Sequence, residues 1–268
     1  MNKKLKIVVL AKQVPDTRNV GKDAMTPEGT VNRAALPAIF NPEDMNALEQ
    51  ALQVKDKYPQ TEITLLTMGP FRAADIIRDA LYRGADNGIL LTDRKFAGAD
   101  TLATSYALSQ AIKKINPDII FAGRQAIDGD TAQVGPQIAE HLDIPQVSYL
   151  EGLEFDGNKT FKIKKQLEDG YQIVEVESPC LLTCLASAVK PRYMSVKGIV
   201  EAWDKEVEIW DTDKIDVEEE KLGLKGSPTK VKKAGAKEMK PAGMVHDGLS
   251  PEEAADLIIS KLKEKFII

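Results

Sequence analysis

Asp118-Ile119-Ile120-Phe121-Ala122-Gly123-Arg124-Gln125-Ala126-Ile127-Asp128-Gly129-Asp130-Thr131-Ala132-Gln133-Val134 decides the fold. Residues 118–122 read as a short strand without in/out alternation, the mark of a strand buried on both faces. A polar loop follows Gly123, and residues 130–142 read as a helix opened by Asp130-Thr131. The unit repeats in both directions. Upstream, residues 5–11 form an apolar run of strand length. Residues 43–58 carry Met45, Leu48, Ala51 and Leu52 at helical spacing behind Asn41-Pro42. A strand over 62–68 ends at Gly69-Pro70. A helix over 72–83 puts Ala73, Ile76, Ile77, Ala80 and Leu81 on one face and stops at Gly84. Residues 88–91 are a further strand, and 100–115 a helix followed by Asn116-Pro117. Downstream, 146–150 reads as a fifth strand. Strands of this kind alternating with helices predict an α/β fold around a parallel sheet.

The second half changes character. Residues 161–185 are rich in β-branched and apolar side chains around Asp169-Gly170, which predicts a hairpin or antiparallel arm. Residues 211–248 are charged and broken by Gly and Pro, and no apolar periodicity there sustains a core element. They read as a segment running over a surface, the chain's own or a partner's. Ser250, Pro251 and Glu253 then supply the N-cap, N1 proline and capping-box acid of a last helix bearing Leu257, Ile258, Leu262 and Phe266. That helix either docks on a partner or packs back on its parent. The expected division is a body over 1–210 and a C-terminal arm and helix over 211–268.

The chain has 268 residues, enough for a sizeable core, yet only two His and two Cys. That count excludes a His/Cys zinc enzyme, a disulfide scaffold and most Ser-His or Cys-His nucleophiles. Redox or transfer chemistry here requires a bound cofactor or a partner. His141 reads as a residue of a helix C-terminus, and His246 lies in the irregular segment. Cys180 and Cys184 read as buried thiols, and Trp203 and Trp210 as packing groups. The Lys230-Val231-Lys232-Lys233 cluster reads as a solvated face. A net charge of −5 argues against nucleic acid as a partner. The apolar run at 5–11 is too short to span a bilayer, and low cysteine use fits a cytoplasmic location. No metal site and no catalytic side chain is expected.

In an open parallel sheet, ligands meet the carboxyl ends of the strands. Three loops qualify: the one from Lys12 to Asn41, the one at Thr67-Met68-Gly69-Pro70, and residues 123–134. The last is the strongest. Gly129 would allow a tight turn, and free N–H groups at a helix start would meet a phosphate. Thr131 and Gln133 add polar groups, and Arg124 offsets charge. Asp128 and Asp130 would turn inward to fix the loop. The alternative is a capped helix with no ligand. The Lys12–Asn41 connection is either a functional loop or an inserted hairpin. Thr101 and Thr104 either cap their helix or contact a second phosphate.

Five spaced motifs carry a family resemblance. They are Val14-Pro15-Asp16-Thr17, Asn41-Pro42-Glu43-Asp44, the stretch from Gly123 to Thr131, Pro191-Arg192-Tyr193 and Gly226-Ser227-Pro228-Thr229. In this order they resemble the β subunits of electron transfer flavoproteins across essentially the whole chain. The resemblance implies an adenine nucleotide hydrolase-like domain with a β arm and a C-terminal extension docking on a larger α subunit. It places residues 123–134 around nucleotide phosphates, with Leu10 or Ala11, Asn41, Asp44 and Met68 along the adenosine. Ordinary members hold AMP there, and bifurcating members hold FAD.

Three segments are similar to the bifurcating group. They are Val14-Pro15-Asp16-Thr17 with Val20 and Asp23, Gly29-Thr30-Val31-Asn32-Arg33, and the run from Asp93 to Thr101. Val31 departs from the group's usual Leu. This likeness implies NADH as hydride donor, with ferredoxin and an acyl-CoA dehydrogenase-type flavoenzyme as acceptors, the latter reached through the α-subunit FAD. The chain would not be catalytic alone. Asp16, Thr17 and Arg33 are the residues expected near the flavin or NADH. The segment from Pro191 to Lys197 resembles the family's partner-recognition loop, with Val196 as its apolar anchor.

Overall fold

A computed structural model describes residues 4–16, 37–230 and 243–268. The chain divides into two compact units, Met1–Ala234 and Gly235–Ile268. The first is built on a nine-stranded sheet. In chain order its elements are β1 (Lys6–Leu10), a short antiparallel pair β2 (Gln13–Pro15) and β3 (Ala38–Phe40), α1 (Pro42–Lys57), β4 (Glu62–Met68), α2 (Ala74–Arg83), β5 (Asn87–Leu91), α3 (Thr101–Ile115), β6 (Ile119–Gly123) and α4 (Val134–Leu142). β7 (Gln146–Phe155), β8 (Thr160–Leu167), β9 (Gly170–Glu177), β10 (Cys180–Cys184), α5 (Val196–Ala202) and β11 (Glu208–Trp210) follow. The sheet order is β11-β5-β4-β1-β6-β10-β7-β8-β9, with β2 and β3 forming their own ladder.

The strands from β11 through β7 pair in parallel, and β7, β8 and β9 are antiparallel. Alternate residues of β1 serve opposite cores. Ile7 and Val9 join the cluster packed by Leu48, Ala51, Ile77 and Leu81 of α1 and α2. Val8 and Leu10 join the one packed by Ala107, Ala111, Ile112 and Ile138 of α3 and α4. Each fully buried Val, Leu or Ile among them contributes about 1.5–3 kcal/mol. The expected parallel α/β sheet is therefore present. Gly84 ends α2 at φ 122, a conformation that favours glycine.

Two expectations are corrected. The apolar segment 161–185 is not one hairpin. β8 and β9 form the hairpin across Gly170, but Cys180–Cys184 returns to the sheet centre between β6 and β7. Its fully buried residues, apolar on both faces, carry that signal. Trp203 is not a packing group, being 66% exposed, whereas Trp210 is buried. β7 belongs to both parts of the sheet. Its first half pairs in parallel with β10, its second half antiparallel with β8, and a register shift between Leu150 and Gly152 marks the change.

Within the second unit, α6 (Pro251–Glu264) has the predicted capping box. Ser250 Oγ accepts from the Glu253 N–H, and Glu253 accepts from the Ser250 N–H. Among the described residues, no helix is long and apolar enough to cross a membrane.

Candidate functional site

β1 has β4 on one side and β6 on the other, so the winding direction of the sheet reverses at the β1/β6 pair. The loops leaving those two strands diverge and open a crevice at their carboxyl ends. This is where the sequence placed its strongest loop.

The first turn of α1 stitches the two loops together. Asn41 precedes the helix but gives it no side-chain cap. Its amide instead donates to the Gln125 carbonyl at 2.9 Å and accepts from the Ile127 N–H at 3.2 Å. Glu43 accepts from the Gln125 N–H at 2.7 Å and pairs with the Arg124 guanidinium at 3.0 Å. Asp44 accepts from the Lys12 N–H at 2.8 Å and the Gly123 N–H at 3.0 Å. Burial pushes the Asp44 carboxyl up to about 7; its backbone donors at Lys12 and Gly123 and the Asn41 amide oppose this, and Glu43 adds to it. Asn41 and Asp44 therefore lie under the loops as buried supports. A Cβ on Gly123 would stand 2.3 Å from Asp44 Oδ1, so only glycine fits there.

The loop after β6 differs from expectation at its far end. Asp130-Thr131 do not open a helix: α4 begins at Val134, because Asp130 (φ 48) and Ala132 (φ 52) are left-handed. The turn depends on those two residues and not on Gly129, above whose α-carbon the space is open. The acidic side chains do turn to the protein, as expected. Asp128 pairs with the Lys12 ammonium at 2.7 Å, and Asp130 accepts from the Gln125 amide at 2.8 Å. Arg124 is held by Glu43, which raises its pKa further, so it supplies no unengaged cation. Among the described residues, the N–H groups of Thr131, Ala132 and Gln133 take no partner from the chain. Successive unengaged N–H groups, with Asp128 ion-paired to Lys12 and Asp130 turned to the Gln125 amide, form a concavity suited to an anion.

The loop after β5 borders this cradle. Asp100 is the cap of α3, accepting from the Leu102 and Ala103 N–H groups. Thr101 is thus not the cap, and its hydroxyl donates to Gln133 Oε1 at 2.8 Å. Thr104 is half-buried one turn on. The other oxygen of Asp100 accepts from the Thr229 N–H and hydroxyl, and its own N–H donates to Ser227 Oγ. Residues 211–229 accordingly run over the surface of their own unit, and Thr212 is tied to Asp93 at 2.8 Å. Leu10 ends β1 and Ala11 follows it, and Thr67 donates to the Ala11 carbonyl at 2.9 Å. Met68 ends β4 and is half-buried. Asp16 is buried at the end of β2, its N–H donating to the Pro37 carbonyl. Thr17, Val20, Asp23 and Arg33 lie outside the described residues. β2 and β3 make the root of the long Lys12–Asn41 connection a hairpin stem.

A second feature lies on the α1/α2 side. Arg192 is gripped by Glu49 and Asp56 of α1, and Val189 donates to Asn46. Those carboxylates hold its guanidinium well above the usual range. After this anchor comes α5, a helix not predicted from the sequence. It exposes Val196, Val200 and Trp203 at 81%, 70% and 66%, one turn apart on one side. Glu49 was not singled out in the sequence, and of the α5 stripe only Val196 was, through the family resemblance. Glu49 and Arg192 stand 143 residues apart, but the i, i+4, i+7 spacing of the stripe was visible.

His141 ends α4 edge-on to Tyr106, and burial lowers its pKa. It lines a cleft of about 620 Å³ along α3 with Glu218 and Lys221. Cys180 and Cys184 are buried as expected, and burial pushes the Cys180 thiol up to about 12. Among the described residues, no group of three or more His, Cys, Asp or Glu is placed to hold a metal ion.

A parallel sheet with a backbone anion cradle at its switch point defines an α/β protein of nucleotide-binding type. The sequence profile of the electron transfer flavoprotein domain matches residues 28–215. An electron transfer flavoprotein subunit beta from Clostridium acetobutylicum is 55% identical over 98% of this chain and 100% of its own length. At 48% identity over the same shares are the caffeyl-CoA reductase-Etf complex subunit CarD of Acetobacterium woodii and the acryloyl-CoA reductase electron transfer subunit gamma of Anaerotignum propionicum. The chain belongs to the electron transfer flavoprotein family, on its β-subunit branch.

Proposed function

We propose that this chain is the β subunit of a cytoplasmic bifurcating heterodimer that binds FAD, accepts hydride from NADH and divides the electrons. One electron goes to ferredoxin, and the other passes through the α-subunit FAD to an acyl-CoA dehydrogenase-type reductase. The observation that carries the reading is the cradle at 131–133, with its unengaged N–H groups and its acidic side chains already satisfied. It suits a pyrophosphate, and the relatives named for caffeyl-CoA and acryloyl-CoA reductase complexes support an acyl-CoA-linked role. Bound there, the flavin supplies the redox chemistry that no side chain of this protein offers.

The protein's own part is to bind and position. Residues 123–134 hold the phosphates, with Thr101 and Thr104 beside them. Leu10, Ala11 and Met68 line the adenosine end, and Asn41 and Asp44 hold the loops in place beneath it. Asp16, Thr17 and Arg33 contribute the contacts to the flavin or NADH. α5 offers its apolar stripe to the partner dehydrogenase, and the C-terminal unit docks on the α subunit.

Co-expression with the α subunit and cofactor extraction tests this. Two FAD per heterodimer, both bleached by NADH, is the expected result. One FAD with one AMP would instead make the chain part of a conventional electron carrier.

A further inference from the structure

Lys12 stands where two of the site's loops meet. Its main chain is fixed on both sides, the N–H by Asp44 at 2.8 Å and the carbonyl by the Asn41 N–H at 3.0 Å. Its side chain is held differently. It is half exposed, and its ammonium lies 2.7 and 2.9 Å from the two oxygens of Asp128, whose own side chain is only 12% exposed. An ammonium has three donors, so two contacts with Asp128 leave one over. Arg124 is paired with Glu43 beneath the loop, through Nη2 at 3.0 Å and Nε at 3.5 Å. A lysine on a four-carbon stem is also a movable point charge, whereas a guanidinium locked in a bidentate pair is not.

We propose that Lys12 is the phosphate-selecting residue of this site: its ammonium, parked on Asp128, is shared with the phosphate of the bound adenine nucleotide. The inference rests on the reading of residues 123–134 as a nucleotide cradle. Asp128 then keeps the charge at the rim of the loop, and the third donor is the one a phosphate oxygen takes. The ammonium discriminates between ligands that carry a phosphate and those that do not. A purely structural ion pair would instead pin the loop and serve every ligand of the cradle alike.

The test uses the full-length chain with its α subunit, dialysed free of exchangeable nucleotide. Calorimetry measures AMP and adenosine binding, the two fragments that share the adenosine end of FAD. For Lys12→Met, AMP affinity falls by about tenfold or more, as expected for a lost charge-assisted hydrogen bond, adenosine affinity is unchanged, and the salt dependence of AMP binding flattens. For Asp128→Asn, the ammonium is released and AMP binding strengthens relative to adenosine. An equal fall for both ligands in either variant, or unchanged AMP binding in Lys12→Met, overturns the proposal. A wild-type complex that binds neither ligand overturns the cradle reading itself, and the proposal with it.

Discussion

Glu49, buried on α1, accepts from Arg192 three ways: from its backbone N–H at 3.0 Å, from Nε at 2.9 Å and from Nη2 at 2.9 Å. One carboxylate thus fixes both the main chain and the side chain at the base of the segment that leads into α5. Glu49→Ala leaves the guanidinium with Asp56 alone and removes the only acceptor shown for that N–H. Losing these charged hydrogen bonds from a guanidinium that is 32% exposed and keeps Asp56 costs about 1–3 kcal/mol, which urea denaturation will show. Electron delivery to the partner dehydrogenase falls as well, while cofactor content stays as in wild type.

Val196 shows the opposite behaviour. It is exposed and packs against little of its own chain, so Val196→Asp leaves stability within about 0.5 kcal/mol. Turnover with the partner dehydrogenase drops through a raised KM, whereas NADH bleaching of the isolated heterodimer is unaffected. A KM equal to wild type would remove the α5 stripe from the contact.

Asp44 gives stability a pH dependence of unusual sign. Its carboxyl titrates near 7 in the folded protein and near 3.8 in an unfolded chain. Between those values the folded state holds a proton that the unfolded state lacks. Stability therefore falls as pH rises from about 4 to about 7 and levels off above, by a few kcal/mol at most. Asp44→Asn abolishes this component. The stability gap between wild type and variant should shrink as pH is raised across that window in denaturant titrations.

Gly123 and Gly129 separate folding from binding. Gly123→Ala drives a methyl into Asp44 and the backbone at Glu43, and overpacking of this kind costs about 1–3 kcal/mol. A methyl on Gly129 meets nothing within 4 Å, so Gly129→Val folds normally. On the reading of residues 123–134 as the phosphate loop, it lowers the amount of nucleotide that co-purifies. Thr131→Ala leaves stability unchanged and weakens nucleotide retention.

The body of the fold was legible because buried parallel strands and amphipathic helices write themselves locally. Residues 62–68 were bounded as the structure has them, and the Ser250 capping box was read residue for residue. The return of Cys180–Cys184 to the sheet centre was not, since pairing with β6 is set by packing some 60 residues away along the chain. The loop at 123–134 was singled out by its glycines and polar residues, but its geometry was misplaced. Left-handed Asp130 and Ala132 delay α4 by four residues, and only Asp at such a position gives any hint of it. Asn41 and Asp44, which the resemblance placed along the adenosine, are hydrogen-bonded beneath the two loops, a use that no local sequence pattern announces.

β7 carries a last consequence. One strand supplies hydrogen bonds to the central sheet at one end and to the β8–β9 arm at the other, across the shift between Leu150 and Gly152. The arm is therefore not hung on a hinge. It is a lever forged from the same bar as the strands that end at the cradle, and a neighbour gripping the arm sets its distance to the crevice by counting ladder rungs.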